Sequence, residues 1–108
     1  MSTILVVDDD KATRDGVART LRSDYSVLTA ADADAAMAAL PVNAVDLVLT
    51  DLRMPGRDGL SLLRDIIAAY PSIPVILLSA YGSVESAVEA MKDGAYDFLT
   101  KPDRKSVV

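Results

Sequence analysis

The sequence predicts an open, doubly wound α/β domain. Three observations carry this reading. The apolar pattern switches repeatedly between short β-branched runs and helix-spaced segments. Runs and helices alternate strictly. The runs are apolar throughout, as strands covered on both faces are. Right-handed crossovers between parallel strands then place helices on both sides of one sheet. At 108 residues the chain has room for one domain and one core. Its 51% hydrophobic and 25% charged residues are the mix of a globular fold.

Ile4-Leu5-Val6-Val7 is the first strand and stops at Asp8. Lys11 to Arg22 has helix-forming composition, with Val17, Ala18 and Leu21 on one face. Ser26-Val27-Leu28-Thr29 is the second strand. Asp32 is placed to cap a helix through Leu40, which Pro41 stops. Asp46-Leu47-Val48-Leu49-Thr50 is the third strand and ends at Asp51; Met54 to Gly59 is a loop with two turn signals. In Leu60 to Tyr70 the residues Leu62, Leu63, Ile66, Ile67 and Tyr70 recur at helical spacing. Pro71 and Pro74 bracket the link to Val75-Ile76-Leu77-Leu78, the fourth strand. Ser83 can cap the next helix, whose Val84, Ala87, Val88 and Met91 give the best amphipathic match in the chain. Gly94 is placed to end that helix as a left-handed cap. Tyr96 to Thr100 is the fifth strand, ending at Lys101-Pro102. Only residues 103–108 remain, too few for the fifth helix of three turns that such a sheet calls for. Part of one sheet face is therefore expected to be bare, with the chain a fragment of a longer one or a neighbouring molecule over the gap.

Composition excludes whole classes of chemistry. The chain has no cysteine and no histidine, which removes disulfides, structural zinc sites, thiol nucleophiles and Ser-His-Asp triads. A net charge of −5 argues against direct binding of nucleic acid. No apolar run approaches the roughly 20 residues of a membrane span, and no basic segment precedes an apolar one at the N-terminus. A cytoplasmic protein is expected.

The polar residues gather at one end of the sheet. Strand one ends in Asp8-Asp9-Asp10, strand three in Asp51, strand four in Ser79 and strand five in Thr100-Lys101. In open parallel sheets the ligand site lies beyond the carboxyl ends of the strands, where strand order reverses. Strands one and three should flank that point, so Asp8, Asp9 and Asp51 are expected to converge. Their formal charge of −3, offset by +1 on Lys101, leaves −2, which one divalent cation neutralises. The available donors are oxygens, and Mg²⁺ is the hard ion that suits them. A carboxylate beside Mg²⁺ and an ammonium is a usable nucleophile toward a phosphoryl group, because both cations also hold the phosphoryl oxygens. Ser79 could donate to another of those oxygens. Any single Asp after a strand is more often a helix cap, and Asp10 and Asp32 are read that way. Arg14, Arg19, Arg22, Arg57 and Arg64 are read as solvated helix or loop faces. The site reading rests on the four strand ends together.

The segments ILVVDDD, LVLTDLRMPGRDG, VILLSAYG and GAYDFLTKP resemble the response regulator receiver domain of two-component signalling systems. The wording of residues 79–102 is further similar to receivers of nitrogen-regulation type transcriptional regulators. The resemblance implies a flavodoxin-like sheet of order 2-1-3-4-5 with the fifth helix missing or truncated, and one receiver domain over residues 1–108. It implies that Asp51 is the phosphoacceptor. Asp9, Asp51 and the Arg53 carbonyl would bind Mg²⁺ directly, and Asp8 would complete the acidic pocket through a metal-bound water. Ser79 would be the switch hydroxyl and Lys101 the partner of the phosphoryl group. Phe98 stands where the switch aromatic would be; it has no hydroxyl, so it would act through packing alone, and Tyr81, just after Ser79, could contribute to the same surface. The Lys101-Pro102 bond is expected to be cis.

The function so implied is a phosphorylation switch, not a turnover enzyme. A sensor histidine kinase would supply the phosphoryl group. The surface of residues 83–100 would carry the change to an output domain on a longer chain, controlling transcription, or to a receiver–receiver dimer. Two rival functions compete with it. A degenerate receiver would act only as a protein-binding module. An aspartate-nucleophile phosphatase would need a second Asp two residues after the first, where this chain has Arg53.

Overall fold

A computed structural model of the chain describes residues 2–54, 56–79 and 84–100. Five strands form one parallel sheet: β1 (Thr3–Val7), β2 (Ser26–Ala30), β3 (Leu47–Asp51), β4 (Val75–Ser79) and β5 (Asp97–Thr100), in the order β2-β1-β3-β4-β5. Between them run α1 (Lys11–Leu21), α2 (Ala33–Ala39), α3 (Gly59–Ala69) and α4 (Val84–Lys92). This is the flavodoxin-like doubly wound order expected from the sequence. Ser83, the Lys101-Pro102 bond and any fifth helix lie outside the described residues. No helix among the described residues is long and apolar enough to cross a membrane.

The caps are built from aspartates. Asp10 accepts from the Thr13 amide at 2.9 Å, Asp32 from the Ala35 amide at 2.7 Å and Asp58 from the Ser61 amide at 2.8 Å, each satisfying an otherwise orphaned N–H of a first turn. Pro41 does not stop the chain after α2. It sits in a 3₁₀ turn over Leu40–Val42, where its missing N–H costs nothing at the start of a new turn. Gly94, at φ 104°, closes α4. The Ala95 amide reaches the Ala90 carbonyl at 3.0 Å and the Gly94 amide the Met91 carbonyl at 3.2 Å, the paired bonds of a Schellman ending.

The core lies on the sheet face covered by α2, α3 and α4. Leu5, Val7, Val48, Val75 and Leu77 meet Ala33, Ala36, Leu62, Leu63, Ile66 and Ala90 there. On the other face α1 lies against β1 and β2, burying Ala18, Ile4 and Val6. Further along that face Leu47, Leu49, Ile76 and Leu78 are half-buried and Leu99 is exposed.

One apolar stripe points the other way from the core. In α4 only Ala90 is buried, while Val84 is 81% exposed and Val88 and Met91 are about half exposed. The helix reaches the core through a small residue, Ala90, and leaves its branched and long apolar side chains outward. Tyr96 and Leu99 of the neighbouring strand region are exposed as well.

Candidate functional site

Parallel register sets the floor of the site. Val7 is opposite Thr50 and Asp51 is opposite Leu78, so β1, β3 and β4 end at one level and the residues after them open onto one edge. Asp8 comes directly after β1 and Asp51 closes β3. Asp8, Asp9 and Asp51 each offer a carboxylate oxygen, and the three oxygens lie within 4.8 Å of one another. Asp8 is buried, Asp51 half-buried and Asp9 exposed, so the cluster is walled on one side and open on the other. Ser79 ends β4 and is buried. Phe98 is opposite Leu77 and packs, half-buried, against the core. Arg53 lies exposed in the loop after β3. Lys101 and Tyr81 are outside the described residues.

Several residues that sequence reasoning does not single out shape this edge. The Asp10 amide donates to Asp8 Oδ1 at 3.0 Å, and Arg14 donates from α1 to the Asp8 carbonyl at 2.8 Å. Arg14 is therefore a tether of the β1–α1 loop rather than a solvated charge. Thr50 is fully buried and its hydroxyl donates to the Asp51 carbonyl at 3.1 Å. Gly59 opens α3 directly beneath that carbonyl. Its amide donates to the Leu52 carbonyl at 2.7 Å, and a Cβ there would stand 2.3 Å from the Asp51 oxygen. The sequence signals for these residues are present, a Gly after a capping Asp and an Arg one turn into a helix, but each is common where no site exists.

Two more of the arginines expected to be solvated are also engaged. Arg57 pairs with Asp34 of α2 and Asp65 of α3. Arg64 of α3 pairs with Glu89 of α4 and with Asp93 just beyond it, and the Asp93 carboxylate holds its guanidinium pKa above the ordinary value. A hollow of about 380 Å³ lies along the segment between β3 and α3, lined by Leu52, Arg53, Met54, Asp58, Leu60 and Ser86.

The donor set fits a hard divalent ion. All the clustered donors are carboxylate oxygens, and two oxygens on one octahedral Mg²⁺ lie about 3–4 Å apart, given bonds of roughly 2.1 Å. The carboxylate oxygens lie within 4.8 Å of one another, and a divalent charge offsets the mutual repulsion of the three groups.

A five-stranded sheet with helices on both faces and carboxylates at its switch point defines the class: a doubly wound α/β domain, a fold whose ligand sites lie at the strand ends. The comparisons with known proteins narrow it. Residues 4–108 match the family model described as response regulator receiver domain, and the chain belongs to that family. It is 41% identical over 101 residues to the C4-dicarboxylate transport transcriptional regulatory protein DctD of Rhizobium meliloti, covering 93% of this chain and 22% of that protein. It is 46% identical over 100 residues to the response regulator protein FleR of Pseudomonas aeruginosa, covering 92% of this chain and 21% of that protein. The chain thus spans about a fifth of the length of these curated relatives. Among solved structures, NtrX from Brucella abortus in complex with ADP superposes with a TM-score of 0.88 at 44% identity, over 96% of this chain and 24% of that one. A response regulator receiver domain protein from Clostridium thermocellum gives 0.89 at 33% identity, over 95% and 84%.

Proposed function

We propose that the chain is a phosphorylation-dependent signalling switch that takes a phosphoryl group onto Asp51. The observation that carries this is the meeting of Asp8, Asp9 and Asp51 within 4.8 Å at the carboxyl edge of the sheet. Asp9, Asp51 and the Arg53 carbonyl would hold Mg²⁺, with Asp8 acting through a bound water. When bound, the ion would neutralise the carboxylates and the phosphoryl oxygens.

A sensor histidine kinase is the expected donor. One Asp51 carboxylate oxygen attacks phosphorus in line; the P–N bond to imidazole breaks as the P–O bond forms, and the imidazole leaves with a proton. Lys101 neutralises charge on the transferring group. The product, an acyl phosphate, adds negative charge and acceptor oxygens. Ser79 then donates toward it, and Phe98 packs into the space that opens. Both states exist as packings of the same chain, and the phosphoryl group selects one by its extra contacts. Water eventually hydrolyses the acyl phosphate, so the domain consumes no turnover substrate.

The output runs through residues 83–100. Outward Val84, Val88 and Met91 of α4, with exposed Tyr96 and Leu99 in the same stretch of chain, support this, since exposed apolar patches mark interaction sites. The occupant would be an output domain on a longer chain, acting on transcription in the cytoplasm, or a second receiver.

The test is mass spectrometry after incubation with Mg²⁺ and a small phosphodonor. Wild type gains one phosphoryl group and Asp51→Asn gains none. Absence of uptake from any donor would leave a protein-binding module instead.

A further inference from the structure

We propose that Arg57 is a positioning residue for the Asp51 site, clamping the β3–α3 loop so that its main chain is held ready for the metal. The inference rests on the proposed function, in which the Arg53 carbonyl of that loop is a metal ligand.

The loop runs from Leu52 to Asp58 and turns at Gly56, whose φ of 79° favours glycine. Its two ends are fixed by main-chain bonds: the Leu52 amide to the Leu78 carbonyl at 2.9 Å, and the Gly59 amide to the Leu52 carbonyl at 2.7 Å. Buried Leu52 and Met54 anchor its first half. Its second half carries Arg57, and that guanidinium spreads over two helices at once. Nη1 meets Asp34 of α2 at 3.2 Å, Nη2 meets Asp65 of α3, and Nε lies 3.4 Å from the Ser61 hydroxyl. Asp34 and Asp65 belong to different elements, so the guanidinium fixes the loop in two directions. A planar fork of five donors can do this; an ammonium, with one point of charge, cannot span the same set.

The partners of Arg57 are Asp34, Asp65 and Ser61, none of them in the acidic cluster, so it acts through the loop. Field and geometry therefore predict opposite signs. Removing a positive charge near a cation site tightens cation binding by Coulomb's law. Releasing a loop that must be ordered to present a ligand weakens it.

The experiment is isothermal titration of the 108-residue chain with MgCl₂, alongside thermal melts without metal. Arg57→Met keeps much of the apolar stem and loses the head. It is expected to weaken Mg²⁺ binding about three- to tenfold, the range that an ion-paired network at a surface can contribute. Arg57→Lys keeps the charge and should weaken binding in the same direction, which a field effect would not do. Arg64→Met, which removes an ion-paired arginine away from the loop, should leave the affinity no weaker than wild type. Unchanged or tighter binding in both Arg57 variants, with wild type binding Mg²⁺ and Asp51→Asn not, overturns the clamp and leaves the site reading intact. Failure of wild type itself to bind Mg²⁺ overturns both.

Discussion

The same substitution at two glycines should move stability in opposite directions. Gly59 opens α3 against the end of β3. A Cβ there would lie 2.3 Å from the Asp51 carbonyl oxygen and 2.9 Å from the Leu52 Cα. Both atoms are backbone, so no flexible side chain can give way. Overpacking of this kind costs about 1–3 kcal/mol. Straining the 2.7 Å bond from the Gly59 amide to the Leu52 carbonyl adds about 1 kcal/mol, and the stiffer unfolded chain returns about 0.4–1 kcal/mol. Gly59→Ala should therefore lose about 2 kcal/mol, a fall in Tm of roughly 10 °C for a domain this size. Gly16 lies in the middle of α1, exposed, with nothing within 4 Å of its added Cβ. Gly16→Ala should gain about 1 kcal/mol from helix propensity. Urea unfolding monitored by far-UV circular dichroism measures both, with equal m-values expected. Gly59→Ala within about 0.5 kcal/mol of wild type, or Gly16→Ala destabilised to the same extent as Gly59→Ala, would refute the reasoning. Because the clash is with the carbonyl of Asp51 itself, Gly59→Ala should also slow phosphoryl uptake.

Burial, metal binding and charge give further expected outcomes. Ile66→Ala, at a fully buried core position, should cost about 2–5 kcal/mol, whereas Val88→Ala on the outward side of α4 should change stability by less than about 0.5 kcal/mol; urea midpoints distinguish them. Mg²⁺ at a hundredfold excess over its dissociation constant should stabilise wild type by about 2.7 kcal/mol, and Asp51→Asn should lose that response in thermal melts. The Lys11 ammonium, 2.6 Å from Asp15, holds the Asp15 carboxyl below its ordinary 3.8. A depressed folded pKa means that the pair's small contribution is present above pH 3.8 and is lost as pH falls through the lowered value. NMR titration should show Asp15 returning toward 3.8 in Lys11→Met.

Sequence periodicity fails where packing depends on residue size. The Val84, Ala87, Val88 and Met91 spacing is the best helical match in the chain, and it correctly marks α4. It does not mark the buried face, because the residue of α4 that reaches the core is Ala90. Small residues allow close approach, and hydrophobic patterning cannot separate a core stripe from a surface waiting for a partner. Pro41 is a sound signal for the end of α2 and a poor one for the next turn of chain, since a 3₁₀ turn accepts proline at its start. Arg14, Arg57 and Arg64 resemble solvated charges in sequence because the partners of an arginine head lie wherever the fold brings acceptors, some of them more than twenty residues away.

By itself the sequence determined the alternation of strands and helices, their parallel pairing, and, through its motifs, the family to which the chain belongs. Those properties are local or periodic: β-branched runs, aspartate caps, a left-handed Gly94 and acidic strand ends can all be read along one dimension. Tertiary structure alone decided that Asp8, Asp9 and Asp51 stand within 4.8 Å, that Gly59 must lack a side chain beneath the Asp51 carbonyl, and that Arg57 grips two helices. Distances between residues far apart in the chain depend on sheet register and helix approach, and those are fixed only when the whole core is packed.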